Sequence, residues 1–217
     1  VSSQRPEPPT IRADEAVEVG VALAGAPGRR ILGIAGSPGS GKSTLARRIV
    51  AAACDRFGPD AAVQVPMDGF HLANAALDAL GRRDRKGAID TFDADGYVAL
   101  LRRLGTTDTT VWAPDFDRRV DEPIAGSIAV PPTTRLVVTE GNYLLDATMP
   151  WQAAPGLQTE TWFCAVPDPI RIDRLVARHM RHGRDHAAAL AWATDVDGAN
   201  AARIEPTAVR ATRIIST

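Results

Sequence analysis

Nine consecutive residues, Gly36, Ser37, Pro38, Gly39, Ser40, Gly41, Lys42, Ser43 and Thr44, combine glycines, hydroxyls and a lysine in an order that suits a phosphate. Gly36, Gly41, Lys42 and Ser43 fill the spacing G-x-x-x-x-G-K-[ST]. Glycines let the backbone wrap an anion with successive N–H groups pointing inward, while Lys42 and a following helix N-terminus add positive potential. Ser43 offers a hydroxyl to magnesium. A purine nucleoside triphosphate is the ligand this chemistry suggests. Two carboxylates extend the candidate set: Asp68 in "PMDGFH" and Glu140 in "RLVVTEGNYLL".

The elements that must position these groups are legible in the flanking patterns. Ile31 to Ala35 is a short apolar run stopped by Gly36 and Pro38, which predicts a buried strand ahead of the glycines. From Ser43 onward Leu45, Ala46, Ile49 and Val50 recur at helical spacing. A second strand ending in Asp68, a third ending in Glu140, a fourth at "TWFCAV" and a short fifth at "TRIIST" follow, with helical stretches between most of them. That alternation predicts an α/β fold with a five-stranded, mostly parallel, doubly wound sheet and ligands at the carboxyl ends of its strands. Both acids then project toward the phosphate loop.

At 217 residues the chain can bury a core in a single domain, expected over 14–217, behind a proline-rich tail over 1–13. A helix is expected around Asp14 to Ala24. The net charge of −1 gives no basic excess to suggest nucleic acid as a partner. Lys42 and Lys86 are the only lysines, so arginine carries nearly all the positive charge, in the side chain best shaped for forked phosphate contacts. No apolar run has spanning length, and the N-terminal residues lack an apolar signal core. Cys54 and Cys164 read as reduced, small apolar residues, so a cytoplasmic setting is expected.

In their order, "GSPGSGKST", "PMDGFH", "RKGAIDTFD", "PDFDR" and "TEGNYLL" resemble the P-loop kinase group that includes uridine kinase, bacterial pantothenate kinase and phosphoribulokinase. Closest in pattern are bacterial proteins described as nucleoside/nucleotide kinases or fructose transport system kinases. The resemblance runs from about Ile31 to the end of the chain and implies ATP- and Mg2+-dependent phosphoryl transfer to a hydroxyl of a small molecule. It makes Asp68 the base that accepts the hydroxyl proton. Glu140 would organise magnesium together with Ser43 and Asp68, and it stands where many P-loop ATPases have aspartate. The resemblance also implies an arginine-bearing lid at about 169–184, with Arg174 and Arg178 over the nucleotide and Arg181 nearby. Asp168 is a candidate cap and Pro169 suits the first helical position.

Acceptor contacts are expected between about 69 and 125, with His71, Arg85, Lys86, Asp117 and Arg118 as candidates and Asn142 and Tyr143 beside Glu140. Asp117 and Arg118 have a competing reading as a surface pair. A helix from Ala94 to Leu104 capped by Asp93 and a strand or hairpin at "VWAPDFDRRVDEP" belong to this region. The resemblance leaves a sugar, a nucleoside or a pantothenate-like molecule as acceptor, fructose being the sugar it suggests, and an aromatic content of 5% favours a sugar or other polyol over a stacked nucleobase. The "DVDG" at Asp195 to Gly198 follows a helix, out of context for a GTPase switch, and His179, His182 and His186 do not form a zinc pattern. The competing class is an ATP-binding regulatory switch, which has no need of a base aimed at an acceptor. The reading leaves room for a homodimer.

Overall fold

The structure, a computed structural model, describes residues 7–217. Six strands form one parallel sheet: β1 (Thr10–Arg12), β2 (Arg30–Ala35), β3 (Ala62–Pro66), and then, past a separate hairpin, Leu136–Gly141, Glu160–Ala165 and Arg213–Ser216. The hairpin strands are β4 (Val111–Asp117) and β5 (Glu122–Val130), so the last three strands of the sheet are β6, β7 and β8. The order across the sheet is β1-β8-β7-β2-β6-β3, which places β2 in the interior. Six strands stand where five were expected. The additional strand is Thr10–Arg12, whose backbone pairs with Ile214 to Ser216. Those three residues are therefore sheet edge and not tail; residues 1–6 of the expected tail lie outside the described residues.

Helices cover both faces. On one face lie α1 (Ala13–Ala24) and α2 (Lys42–Phe57), where Ala16, Leu45 and Ile49 meet Leu32, Ile34 and Val138 from the strands. The opposite face packs Ile31, Val65 and Val137 against Phe70, Leu101, Trp151 and Phe163. Alternate strand residues thus serve different layers, as two-sided burial demands. Of the remaining helices, α3 (Asn74–Ala79) is short. The next, α4 (Ala94–Thr106), buries Tyr97, Val98, Leu101 and Leu104. It is capped as expected: Asp93 Oδ1 accepts from the Gly96 N–H at 2.8 Å, a bond of about 1 kcal/mol in helix stability.

A third, small apolar cluster joins α5 (Asp168–Arg181) to α6 (His186–Ile204) through Leu175, Val176, Ala189 and Ala193. Asp168 does not cap α5; it is the first helical residue, and its Oδ1 instead accepts from Arg171 Nε at 2.9 Å. The "DVDG" stretch lies inside α6 and has no turn to act as a switch.

Candidate active site

Register decides what meets at the sheet's carboxyl edge. Ile34 of β2 lies opposite Glu140 of β6, and Glu140 lies opposite Pro66 of β3. The loop after β2, the Glu140 carboxylate and the turn after β3 therefore share one edge, at a position where the strand order departs from chain order. Gly41 occupies the residue before α2 with φ 88°, and Gly39 has φ 82°, left-handed values that a side chain would strain. The base of the loop is tied down from elsewhere. Ser37 donates to Glu205, the Ser40 carbonyl accepts from Thr217 Oγ1 at 2.6 Å, and Gly36 and Pro38 are buried beneath the turn.

The loop opens into a cavity of about 850 Å³. Lys42, Ser43, Thr44, Gly39 and Gly41 line it together with Asp68 and Glu140 and, from α5, Arg174 and Arg178. Burial pushes the Lys42 ammonium below the ordinary lysine range, against the pull of Glu140 and Asp68. Burial likewise pushes the Glu140 carboxyl up, against the attraction of Lys42 and the Ser43 hydroxyl. Among the described residues the one hydrogen bond of the Lys42 ammonium is a long 3.4 Å contact to the Ser37 carbonyl. Two buried opposite charges without a close bond between them leave room for an anion on one and a cation on the other.

The donor set fits a triphosphate with magnesium. Gly39, Gly41, Lys42, Ser43 and Thr44 all line the cavity, the Lys42 ammonium has no close partner there among the described residues, and Ser43 and Glu140 offer hard oxygens. Among the described residues there is no cluster of three or more histidine, cysteine or acidic side chains, the all-protein cage that magnesium does without. His179 Nε2 instead pairs with Asp197 Oδ2 at 2.8 Å between α5 and α6.

Asp68 belongs to a tight 3₁₀ turn, Met67–Phe70, immediately after β3. Two groups fix it. The Asp68 carbonyl accepts from His71 Nδ1 at 2.8 Å, and its Oδ2 accepts from Arg118 Nη2 at 2.9 Å. Arg118 thus pairs with Asp68 and not with Asp117, whose partner is Arg119 at 2.7 Å. The hairpin that carries Arg118 is itself anchored: Lys86 Nζ donates to Asn74 Oδ1 at 2.6 Å and to Asp121 Oδ2 at 2.9 Å, and the Asn74 N–H donates to Glu122 Oε2 at 3.0 Å.

Of the expected acceptor residues, Arg118 alone lines this cavity. His71 is packed between Phe92 and Phe116, with ring centroids 4.0 and 4.8 Å away, so its role is structural support. Arg85 pairs with Asp90 at the surface, and Lys86 is spent on the hairpin tip. Asp117, held down to about 2 by the Arg119 guanidinium, lines a neighbouring recess with Arg119. Asn142 is half-buried outside the cavity lining, and Tyr143 is in the core, its hydroxyl donating to the Gly87 carbonyl at 2.7 Å. These residues follow or flank the right segments, but their side chains turn into packing. The cavity also includes Gln64, Asp115, Arg47 and Arg181, of which only Arg181 drew attention in the sequence. Gln64, Pro66 and Asp68 all line it at every second position, a period-two signal that could have pointed to Gln64.

The phosphoribulokinase/uridine kinase family model matches residues 31–104, from β2 through most of α4. A Schizosaccharomyces pombe protein provisionally described as a uridine kinase is 37% identical over 160 residues, 71% of this chain and 68% of its own length. The chain belongs to the phosphoribulokinase/uridine kinase family. An Aspergillus versicolor ATP-dependent kinase-like protein is 38% identical over 125 residues, 54% of this chain and 73% of its own. A crystal structure from Silicibacter sp. TM1040, provisionally described as a fructose transport system kinase, superposes with a TM-score of 0.83 at 37% identity, over 95% of this chain and 99% of that one. Membership in this kinase family makes the chain a P-loop phosphotransferase. Among the described residues no helix is long and apolar enough to cross a membrane.

Proposed function

We propose that the protein transfers the γ-phosphate of ATP to a hydroxyl of a small molecule. The observation that carries this reading is the convergence of Lys42, Glu140 and Asp68, which follow three neighbouring strands, on one cavity that a separate hairpin also lines. A regulatory switch needs the first two but has no use for a carboxylate tied to a second binding wall.

In this reading the loop N–H groups and Lys42 hold the β- and γ-phosphates, and Arg174 and Arg178 neutralise charge from α5. Ser43 and Glu140 would supply oxygen to a magnesium ion, which would offset the remaining phosphate charge when bound. Asp68 orients the acceptor hydroxyl. As the acceptor oxygen bonds to the γ-phosphorus, the bridging P–O bond breaks, its electron pair leaves with ADP, and the hydroxyl proton passes to Asp68. Phe116 is the one phenylalanine, tyrosine or tryptophan of the cavity lining, which supports a sugar or other polyol over a stacked nucleobase.

Asp68→Asn tests the assignment. It should lower kcat by about 10²-fold or more, the usual contribution of a general base, and leave ATP affinity nearly intact. The check is steady-state phosphorylation of a panel of sugars, nucleosides and pantothenate alongside ATP binding by calorimetry. Changed ATP affinity with undiminished acceptor phosphorylation would place Asp68 on the metal side and the base elsewhere.

A further inference from the structure

Arg118 occupies an oxygen that the proposed base needs. Its guanidinium comes from the turn between β4 and β5, and its Nη2 donates to Asp68 Oδ2 at 2.9 Å. The nucleotide side of the cavity already has its own cations in Lys42, Arg174 and Arg178. Arg118 enters from the hairpin. It lies near enough to Arg178 for the two charges to repel, so Asp68 holds together a pair of cations that would otherwise separate. An anion between them would do the same.

The surroundings leave room for such an exchange. Arg118 lines both the main cavity and an adjoining recess of about 390 Å³. Within that recess Asp117 is neutralised by Arg119, and Asp115 Oδ1 accepts from the Phe116 N–H at 2.8 Å. The hairpin backbone is anchored through Lys86 and Asn74, whereas the Arg118 side chain is 60% exposed, so the side chain can move while its frame stays.

We infer that the acceptor carries an anionic group, a carboxylate or a phosphate, that takes the Arg118 guanidinium and thereby frees Asp68 Oδ2 for the acceptor hydroxyl. The inference rests on the kinase reading of the site. It gives Arg118 two tasks: it selects an anionic acceptor, and it masks the base while that acceptor is absent, so that water is a poor substitute and ATP is not hydrolysed idly. A neutral polyol gives Arg118 no reason to leave Asp68.

Matched acceptor pairs test this: glycerol against glycerate for the carboxylate, fructose against fructose 6-phosphate for the phosphate. Each is assayed with wild type, Arg118→Ala and Arg118→Lys for ADP release and for product mass. The charged member of at least one pair should be preferred by wild type. Arg118→Ala should cut that preference about tenfold to hundredfold through acceptor KM, as expected for a lost charge-assisted hydrogen bond, and Arg118→Lys should restore part of it. Acceptor-free ATP hydrolysis should rise in Arg118→Ala. A preference for the neutral members, or a fall in acceptor-free hydrolysis with equal damage to both KM values, would overturn the proposal and move Arg118 to the transferring phosphate. If wild type phosphorylates nothing, the kinase reading fails by itself. Calorimetric binding of the four acceptors to protein loaded with a nonhydrolysable ATP analogue still decides the anion site, which falls if no charged member binds or if its binding ignores Arg118→Ala.

Discussion

Lys42 and Glu140 carry opposite charges in a place where burial disfavours both, and neither is relieved by a close contact with the other. That is a poor arrangement for stability alone, since an ion pair taken out of water recovers its desolvation only with good geometry. It is a good arrangement for a ligand that brings a negative charge to the lysine and a positive one to the glutamate. Lys42→Ala should therefore abolish phosphoryl transfer and weaken ATP binding while the chain still folds. Folding survives because Glu140, whose carboxyl burial already pushes above its ordinary 4.5, can take a proton once its counter-charge is gone. The sign follows: a folded state that binds the extra proton is favoured as pH falls. The melting deficit of Lys42→Ala against wild type should accordingly shrink from about pH 8 to about pH 5. Scanning calorimetry across that range checks it, and a deficit independent of pH would show that Glu140 stays charged without the lysine.

At the scale of elements, the turn after β3 and the hairpin touch closely enough to act as one piece. A Cβ on Gly69 would sit 2.4 Å from the Pro114 carbonyl oxygen and 2.7 Å from its carbon, both backbone atoms that cannot rotate away. Glycine is required there so that Asp68, its neighbour in the chain, and Arg118, in the turn that follows the Pro114 strand, come within hydrogen-bond reach. Gly69→Ala must push the two elements apart. Overpacking of this kind costs about 1 to 3 kcal/mol, which in a chain of this size lowers Tm by roughly 2 to 12 °C. The more telling effect is on turnover, because separating Asp68 from the hairpin wall should reduce kcat beyond what the lost stability explains at a temperature where the variant is folded. Full kcat in the folded variant would show that the hairpin and the base do not need this contact.

For the molecule as a whole, His71 links the site to global stability. Its ring is packed at a tilt between Phe92 of the core and Phe116 of the hairpin, and burial pushes its pKa below the ordinary 6.5 despite the nearby Asp68 charge. The unfolded chain then takes up this proton first as pH falls, so stability rises with pH between the folded value and about 6.5 and is lost on acidification through that window. Urea unfolding of wild type and His71→Phe between about pH 5 and pH 8 should show a steeper acid loss in wild type; parallel curves would mean that His71 titrates alike in both states. Nothing in the run "DGFH" distinguishes such a packed imidazole from an acceptor contact, because one residue type serves both and only its neighbours decide. The phosphate loop, by contrast, was legible residue by residue, since wrapping an anion demands glycine, lysine and hydroxyl at fixed spacing within one continuous segment. The strand carrying Glu140 was legible for a similar local reason, apolar runs stopping where the backbone leaves the sheet, whereas the strand expected to end at Asp68 stops at Pro66 and Asp68 belongs to the turn after it. The pairing of Thr10–Arg12 with the last strand, the choice of Arg118 for Asp68 over Asp117, and the diversion of Arg85, Lys86 and Tyr143 into packing were decided only in three dimensions. Each joins groups far apart in the chain or chooses among side chains with equal local preferences, and sheet register and hairpin anchoring make that choice.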